Sequence, residues 1–427
     1  MPLVDAAPAL AATGFALLAL ATFVVAYGAV IAEEITGLRK SIPVVIAAGV
    51  MWVLVAAAWR SQGLPGAGAK LRDITLEFSE LLLFILAAMT FVNTLQERDV
   101  FAALRSTLIA RGFSLRAVYW LTGLIAFWLS PVLDNMTTAL IVGAVAVAMG
   151  RGNRAFLVPA CISIVVAANA GGAFSPFGDI TTLMVWQKGV LGFFEFFRLL
   201  LPALTNWLVP ALCMSFAVPR ERPGAEPERV PMKYGGRAVI VLFAATIVLT
   251  VVLHQFLNLP PFLGMMTGLG LLHVLDHFIR RDGLFSSMKE VDWDTLLFFY
   301  GVVLCVGALG ALGYLSLLSE LSYARLGPTA ANVLVGLASA VIDNIPIMYA
   351  VLSVNPEMSH GQWLLVTMTA GVGGSLLSIG SAAGVALMGQ ARGIYTFSAH
   401  FKWAWAIALG YAASIAVHLF VNARTFG

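Results

Sequence analysis

LSPVLDNMTTAL, residues 129–140, sets an Asp-Asn pair (Asp134, Asn135) inside an apolar run interrupted by Pro131. The chain repeats the device at 340–351, AVIDNIPIMYAV, where Asp343 and Asn344 stand beside Pro346. An ionisable residue at membrane depth is costly unless it is paired or faces a polar cavity, so its default reading is a functional site. A second pair of stretches follows at a similar distance: NAGGAFSPFGDITT at 169–182 and AGVGGSLLSIGSAAG at 370–384. Aligning Gly171 with Gly373 also brings Gly178 onto Gly380 and Asp179 onto Ser381.

The surroundings of these stretches fix the class. Hydrophobic residues make up 60% of the 427 positions and charged residues 11%, with a mean hydropathy of +0.91. A soluble domain carries about a quarter charged residues, so the composition is that of an all-α polytopic membrane protein. Cys161, Cys213 and Cys305 lie in separate apolar runs with no metal-binding or redox spacing, and are expected to pack between helices. The run at 10–33 has no basic residue before it and is too long for a signal-peptide core, so it reads as a retained span.

Working outward from the first Asp-Asn pair, spans of about 20 residues fall near 10–34, 42–59 and 78–96. The stretch at about 115–149 is broken in its middle by Ser130, Pro131, Asp134 and Asn135, as a re-entrant helical hairpin would be. An interrupted span at about 155–188 and a span at 193–217 complete a first repeat over 1–218. The polar segment 219–237 is a linker. The series then recurs over 238–427, with spans near 238–257, 261–279 and 295–318, a hairpin at about 329–354, a broken helix at about 362–391 and a last span at 403–422. Each half has five spans, and an odd number of crossings inverts the second half relative to the first, as in many transporters. Of the 25 Lys and Arg residues, 18 fall on the side that holds the linker and 7 on the other. The positive-inside rule therefore puts the linker in the cytoplasm and both termini outside.

Hairpin tips and unwound helix centres leave backbone groups without partners at mid-membrane, where side chains, water or an ion must satisfy them. The first half supplies Asp134, Asn135, Asn169, Ser175, Asp179, Thr181 and Thr182 to that level, and the second supplies Asp343, Asn344, Ser375, Ser378 and Ser381. Three carboxylates without Lys or Arg describe a hard oxygen cage for a small cation. Ser130, Thr137 and Thr138 flank the first tip as supporting groups. Glu80 and Asp294 open the third elements of the two halves, and either could bind protons, respond to pH or simply cap a helix.

LSPVLDNMTTAL followed by NAGGAFSPFGDITTLMVWQKG resembles the NhaD-type sodium/proton antiporters of the ion transporter superfamily, and the resemblance extends over essentially the whole chain. It implies a homodimer in the bacterial inner membrane that exchanges cytoplasmic Na⁺ or Li⁺ for protons, without a cofactor or a nucleic-acid partner, and it implies two re-entrant hairpins and two broken helices. The divalent-anion/sodium symporters of that superfamily carry Ser-Asn-Thr at the hairpin tips, whereas here Asp134-Asn135-Met136 and Asp343-Asn344-Ile345 occupy them, a change that favours a cation. The second broken helix departs from the first, since Ser381 stands where Asp179 does.

The expected mechanism is competition: Na⁺ at Asp134, Asn135, Asp343 and Asn344, with Asp179 nearby, displaces a proton held by the same carboxyls. Each choice has a plainer rival. An Asp at a helix break can simply cap backbone amides, the Gly pairs can be packing sites, and His273, Asp276 and His277 read as an interfacial polar cluster rather than a metal site. A sodium-coupled anion symporter could use the same fold but would want cationic or hydroxyl-rich ligands at the tips. An intramembrane aspartyl hydrolase or a channel leaves the symmetric hairpins unexplained, so the chain is not expected to be an enzyme.

Overall fold

Helices provide the regular structure, and no strand occurs among the described residues of the computed structural model, which are 10–150, 152–222, 230–279 and 290–426. Arg151, Arg229, Arg280, Arg281 and Lys289, all counted on the basic side, lie outside them, as do residues 223–229 of the linker. Helices begin where a short polar side chain can accept from the first free amides. Thr13 takes the Ala16 amide at 3.2 Å, Ser114 that of Ala117 at 3.3 Å, Asn153 that of Phe156 at 3.3 Å, and Asp292 that of Thr295 at 3.2 Å.

Among the described residues nine helices are long and apolar enough to cross a membrane. They fall in nine of the ten expected spans; the tenth, at 362–391, is divided into two shorter helices, and the segment at 155–188 is likewise divided, into one long and one short helix. The chain is therefore a multi-pass membrane protein. It folds into two compact units, one formed by Met1–Asn93, Ala245–Pro328 and Tyr349–Glu357, the other by Thr94–Ala244, Thr329–Met348 and Met358–Gly427. Each unit draws on both halves of the sequence.

In the first unit, α1 (Gly14–Ile31), α2 (Ser41–Ser61) and α12 (Trp293–Ala311) pack closely. Trp52 donates its indole N–H to the Leu304 carbonyl at 3.0 Å, and Trp59 does the same to Ala311 at 2.9 Å, two turns further on. Asp294, in the first turn of α12, accepts the Ser41 hydroxyl. Glu80 departs from its expected place near a span end: helix α3 runs from Ala67 to Glu97, which puts Glu80 well inside it. The apolar run that marked the span is only the later part of a longer helix, whose first turns carry Lys70, Arg72, Asp73 and Glu77.

The second unit is built around α7 (Arg154–Gly172) and α15 (His360–Gly373). Every residue from Phe156 to Gly172 and from Gly361 to Gly373 is buried, so neither stretch has a face left for lipid. Each helix stops short, and the chain resumes as α8 (Ile180–Gln187) after residues 173–179 and as α16 (Ala382–Gln390) after 374–381. Two further interruptions divide helical pairs: 130–134, between α5 (Leu115–Leu129) and α6 (Asn135–Gly150), and 339–343, between α13 (Pro328–Ala338) and α14 (Asn344–Val354). These four interruptions carry the residues of interest.

Candidate ion-binding site

The glycines at the interruptions permit contacts that a Cβ would block. A Cβ on Gly171 would overlap the Phe127 carbonyl, and one on Gly373 would overlap the carbonyl of Gly336. Gly172 packs on the Gly178 carbonyl as Gly374 does on that of Gly380. Hydroxyls repeat the pairing: Ser130 donates to the Ala168 carbonyl at 2.6 Å and Ser339 to the Ala370 carbonyl at 2.8 Å. The two helical pairs therefore dock against the two broken helices through the same atoms.

Asp179 lies at the centre of what these contacts assemble. It is buried and opens α8, its Oδ1 accepting the Thr181 amide at 3.2 Å. Its Oδ2 accepts the side-chain amides of Asn135 at 3.1 Å and Asn344 at 2.8 Å, one from each helical pair. The Asn135 amide nitrogen also reaches Asn169 Oδ1 at 3.1 Å. Asn169 in turn donates to the hydroxyls of Ser375 at 2.7 Å and Ser381 at 2.9 Å, on the other broken helix. All the donors to Asp179 are uncharged, so an ionised carboxylate here is stabilised by dipoles and lacks a paired cation in its hydrogen-bond set. Burying a charge without a partner is expensive, and a proton or a small cation removes that cost.

The structure thus brings Asn135, Asn169, Asp179, Asn344, Ser375 and Ser381 into one network. It uses the tip aspartates differently. Asp134 Oδ1 accepts the Thr137 amide at 2.8 Å and Oδ2 the Thr137 hydroxyl at 2.5 Å, which is the capping geometry for α6. Asp343 Oδ1 accepts the Ile345 amide at 3.1 Å at the start of α14. Both aspartates are partly exposed, whereas Asp179 is buried.

The remaining hydroxyls brace backbone. Ser175 donates to the Pro131 carbonyl at 2.8 Å, Thr182 to the Ser175 and Asp179 carbonyls at 2.8 and 2.7 Å, and Thr138 to the Leu133 carbonyl at 3.5 Å. Ser378 adopts a left-handed backbone (φ 65°) and its hydroxyl faces that of Tyr395 at 3.4 Å. Thr181 differs: its side chain is buried beside the Asp179 carboxylate. Glu80 and Asp294 belong to the other compact unit.

A family model described as a citrate transporter matches residues 6–371. The chain is 51% identical to a protein named Na(+)/H(+) antiporter NhaD from Alkalimonas amylolytica, over 95% of this chain and 91% of that one. It is 49% identical to the NhaD of Halomonas elongata, over 96% and 89%, and 31% identical to the sodium/proton antiporter 1 of Arabidopsis thaliana, over 94% and 71%. This chain belongs to the citrate transporter family, among the NhaD antiporters. NhaD relatives are named as transporters, in line with the expectation that the chain is not an enzyme. The cysteines are free, with Cys161 and Cys305 buried, and no group of three His, Cys, Asp or Glu residues among those described could hold a metal ion.

Three residues of the network escaped the sequence reading. Ser339 stands four positions before Asp343 as Ser130 does before Asp134, so comparing SPVLDN with SAVIDN would have found it. Tyr395 and His400 lie beyond the broken helix with no pattern to mark them. His400 places Nε2 2.8 Å from the Ser375 carbonyl and Nδ1 2.8 Å from the Tyr395 hydroxyl.

Proposed function

We propose that this protein exchanges Na⁺ or Li⁺ for H⁺, extruding sodium from the cytoplasm by alternating access, and that the two ions compete for Asp179. The observation that carries the reading is the set of neutral donors around the buried Asp179 carboxylate. Such a carboxylate is balanced by a bound proton or by a small cation, and the two exclude one another. Thr181 Oγ1, buried beside the Asp179 carboxylate, is a further oxygen for the cation. Asp134 and Asp343, at the starts of α6 and α14, supply negative charge to the same level, and Asn135 and Asn344 orient the Asp179 carboxylate. The names of the NhaD relatives support this reading.

The fold reading that accompanies it has two inverted-topology repeats, 1–218 and 238–427, each with five transmembrane helices and one re-entrant hairpin. It is supported by the matched contacts of Ser130 with Ala168 and Ser339 with Ala370. The protein acts as a homodimer in the inner membrane, with both termini periplasmic. The citrate transporter description of the family favours a second reading, sodium-coupled anion symport. The absence of any Lys or Arg from the segments that form the network, 129–140, 169–182, 340–351 and 370–384, weighs against it.

Proteoliposomes holding a pH-sensitive dye separate the two. Added Na⁺ or Li⁺ dissipates an imposed pH gradient in the parent chain and does nothing in Asp179→Asn. Sodium uptake that requires citrate and moves no protons would replace antiport with symport.

A further inference from the structure

His400 and Tyr395 lie on neither broken helix, yet both bind the interruption at 374–381. His400 belongs to the short helix α17, Phe397–Phe401, and is fully buried, as is Tyr395. A carbonyl only accepts, so the Nε2 that faces the Ser375 carbonyl at 2.8 Å carries the ring hydrogen. Nδ1 of the neutral ring then accepts from the Tyr395 hydroxyl at 2.8 Å, and that hydroxyl faces Ser378 Oγ at 3.4 Å. The pair thereby holds the interruption at two points, residues 375 and 378. The chain of bonds ends on a backbone carbonyl, which has no proton to pass on, so it is a brace and not a proton path.

The brace acts on the ion site through one residue. Ser375 receives His400 on its carbonyl and Asn169 on its hydroxyl, at 2.7 Å. Asn169 accepts from Asn135, which donates to Asp179. The first half satisfies its own interruption locally, since Thr182 of α8 donates to the Ser175 carbonyl. In the second half Gly384 takes part in the corresponding turn, and the Ser378 side chain packs against it. Gly384, at the place of Thr182, has no hydroxyl to offer, and α17 instead holds the second interruption at the Ser375 carbonyl, two residues before the position that matches Ser175. The element before the last span of the first half, Phe193–Leu199, buries only Phe196 and Leu199, so the polar pair belongs to the second half alone.

We propose that His400, fixed by Tyr395, is a positioning residue of the ion site. By holding the Ser375 carbonyl it sets the hydroxyl that orients Asn169, and so the amide shell of Asp179. The consequence for sodium rests on the antiporter reading above, whereas the brace itself does not.

Two measurements on the full-length chain test the halves separately. Hydrogen exchange reads the brace at the Ser378 and Gly380 amides, which bond to the Gly374 and Ala340 carbonyls at 3.1 and 3.2 Å. His400→Ala accelerates exchange there, and His400→Gln, which keeps an N–H donor for the carbonyl, restores most of the protection. Sodium-driven proton movement in proteoliposomes reads the consequence. His400→Ala raises the half-saturating Na⁺ concentration by roughly tenfold, as loss of a residue orienting an ion's ligands does, with little change in maximal rate, and His400→Gln returns it toward the parent.

Unchanged exchange at residues 378 and 380 in His400→Ala overturns the brace. Faster exchange with unchanged half-saturation, or a fall in maximal rate alone, overturns the positioning role. If His400→Ala does not fold, Tyr395→Phe removes one hydroxyl at nearly constant shape: a raised half-saturation supports the proposal, and a parental value overturns it. A parent chain that moves no protons with sodium overturns the antiporter reading and the claim for sodium with it, while hydrogen exchange still judges the brace.

Discussion

Asn344 donates its side-chain amide to Asp179 Oδ2 over 2.8 Å, although 165 residues separate them in the chain. Asn135 approaches the same oxygen from the other helical pair at 3.1 Å. One carboxylate oxygen therefore senses the start of α6 and the start of α14 together. Displacement of either helix changes the donors that Asp179 Oδ2 meets.

Asp179→Asn keeps the shape of the side chain and removes the charge. Sodium-dependent proton movement in proteoliposomes is expected to fall to background, and the variant is expected to remain folded because Oδ1 can still cap α8 at Thr181. Asp179→Glu keeps the charge one methylene too far out and is expected to retain weak exchange. Full activity in Asp179→Asn would remove Asp179 from the reaction.

The amides around Asp179 are expected to tune affinity. A hydrogen bond to a charged acceptor contributes about 1.5–3 kcal/mol, so Asn135→Ala and Asn344→Ala should each raise half-saturating Na⁺ by about tenfold or more. Because both donate to one oxygen, a double-mutant cycle should show coupling of at least about 0.5 kcal/mol. Strict additivity would mean that the two amides act independently.

The positions of the helices and of their interruptions were legible in the sequence, because apolar length and misplaced Pro, Gly and Asp report directly on membrane spans. The Asp-Asn pairs were legible as well. Which carboxylate would hold the centre was not. Asp134 and Asp343 stand at the most conspicuous irregularities, but their local geometry turns them onto the amides of Thr137 and Ile345. Asp179 gains its place from contacts with Asn135 and Asn344, distant in the chain, which no local pattern encodes. His400 was illegible for the same reason. The start of α3 was hidden because charged residues can extend a helix beyond the apolar run that reveals it.

Asp134 caps α6, and the proposed function adds a second role that can be separated from it. As the cap it needs an acceptor for the Thr137 amide, and as the proposed charge near the ion it needs to be an acid. Asp134→Ala should lower the stability of the detergent-solubilised protein by about 1–2 kcal/mol. Asp134→Asn should leave the thermal midpoint near the parent's and still weaken sodium exchange. Parental exchange in Asp134→Asn would reduce Asp134 to a cap.

The glycine contacts give the sharpest steric test. Gly373 packs against the backbone of Gly336, whose carbonyl a new Cβ would overlap, and the same holds for Gly171 against the Phe127 carbonyl. A backbone atom cannot rotate away as a side chain can, so Gly373→Ala forces α13 and α15 apart. Overpacking of a well-packed core costs about 1–3 kcal/mol, and displacement of 339–343 would also draw Asn344 from Asp179. Gly373→Ala should therefore lower the thermal midpoint and the sodium affinity together, with Gly171→Ala behaving alike through Asn135. Gly28→Ala is the control: a Cβ there meets nothing within 4 Å, so it should leave the sodium affinity unchanged and the thermal midpoint no lower than the parent's. If Gly373→Ala matched that control, the close docking of α13 on α15 would be wrong, and the placement of Asn344 on Asp179 would lose its support.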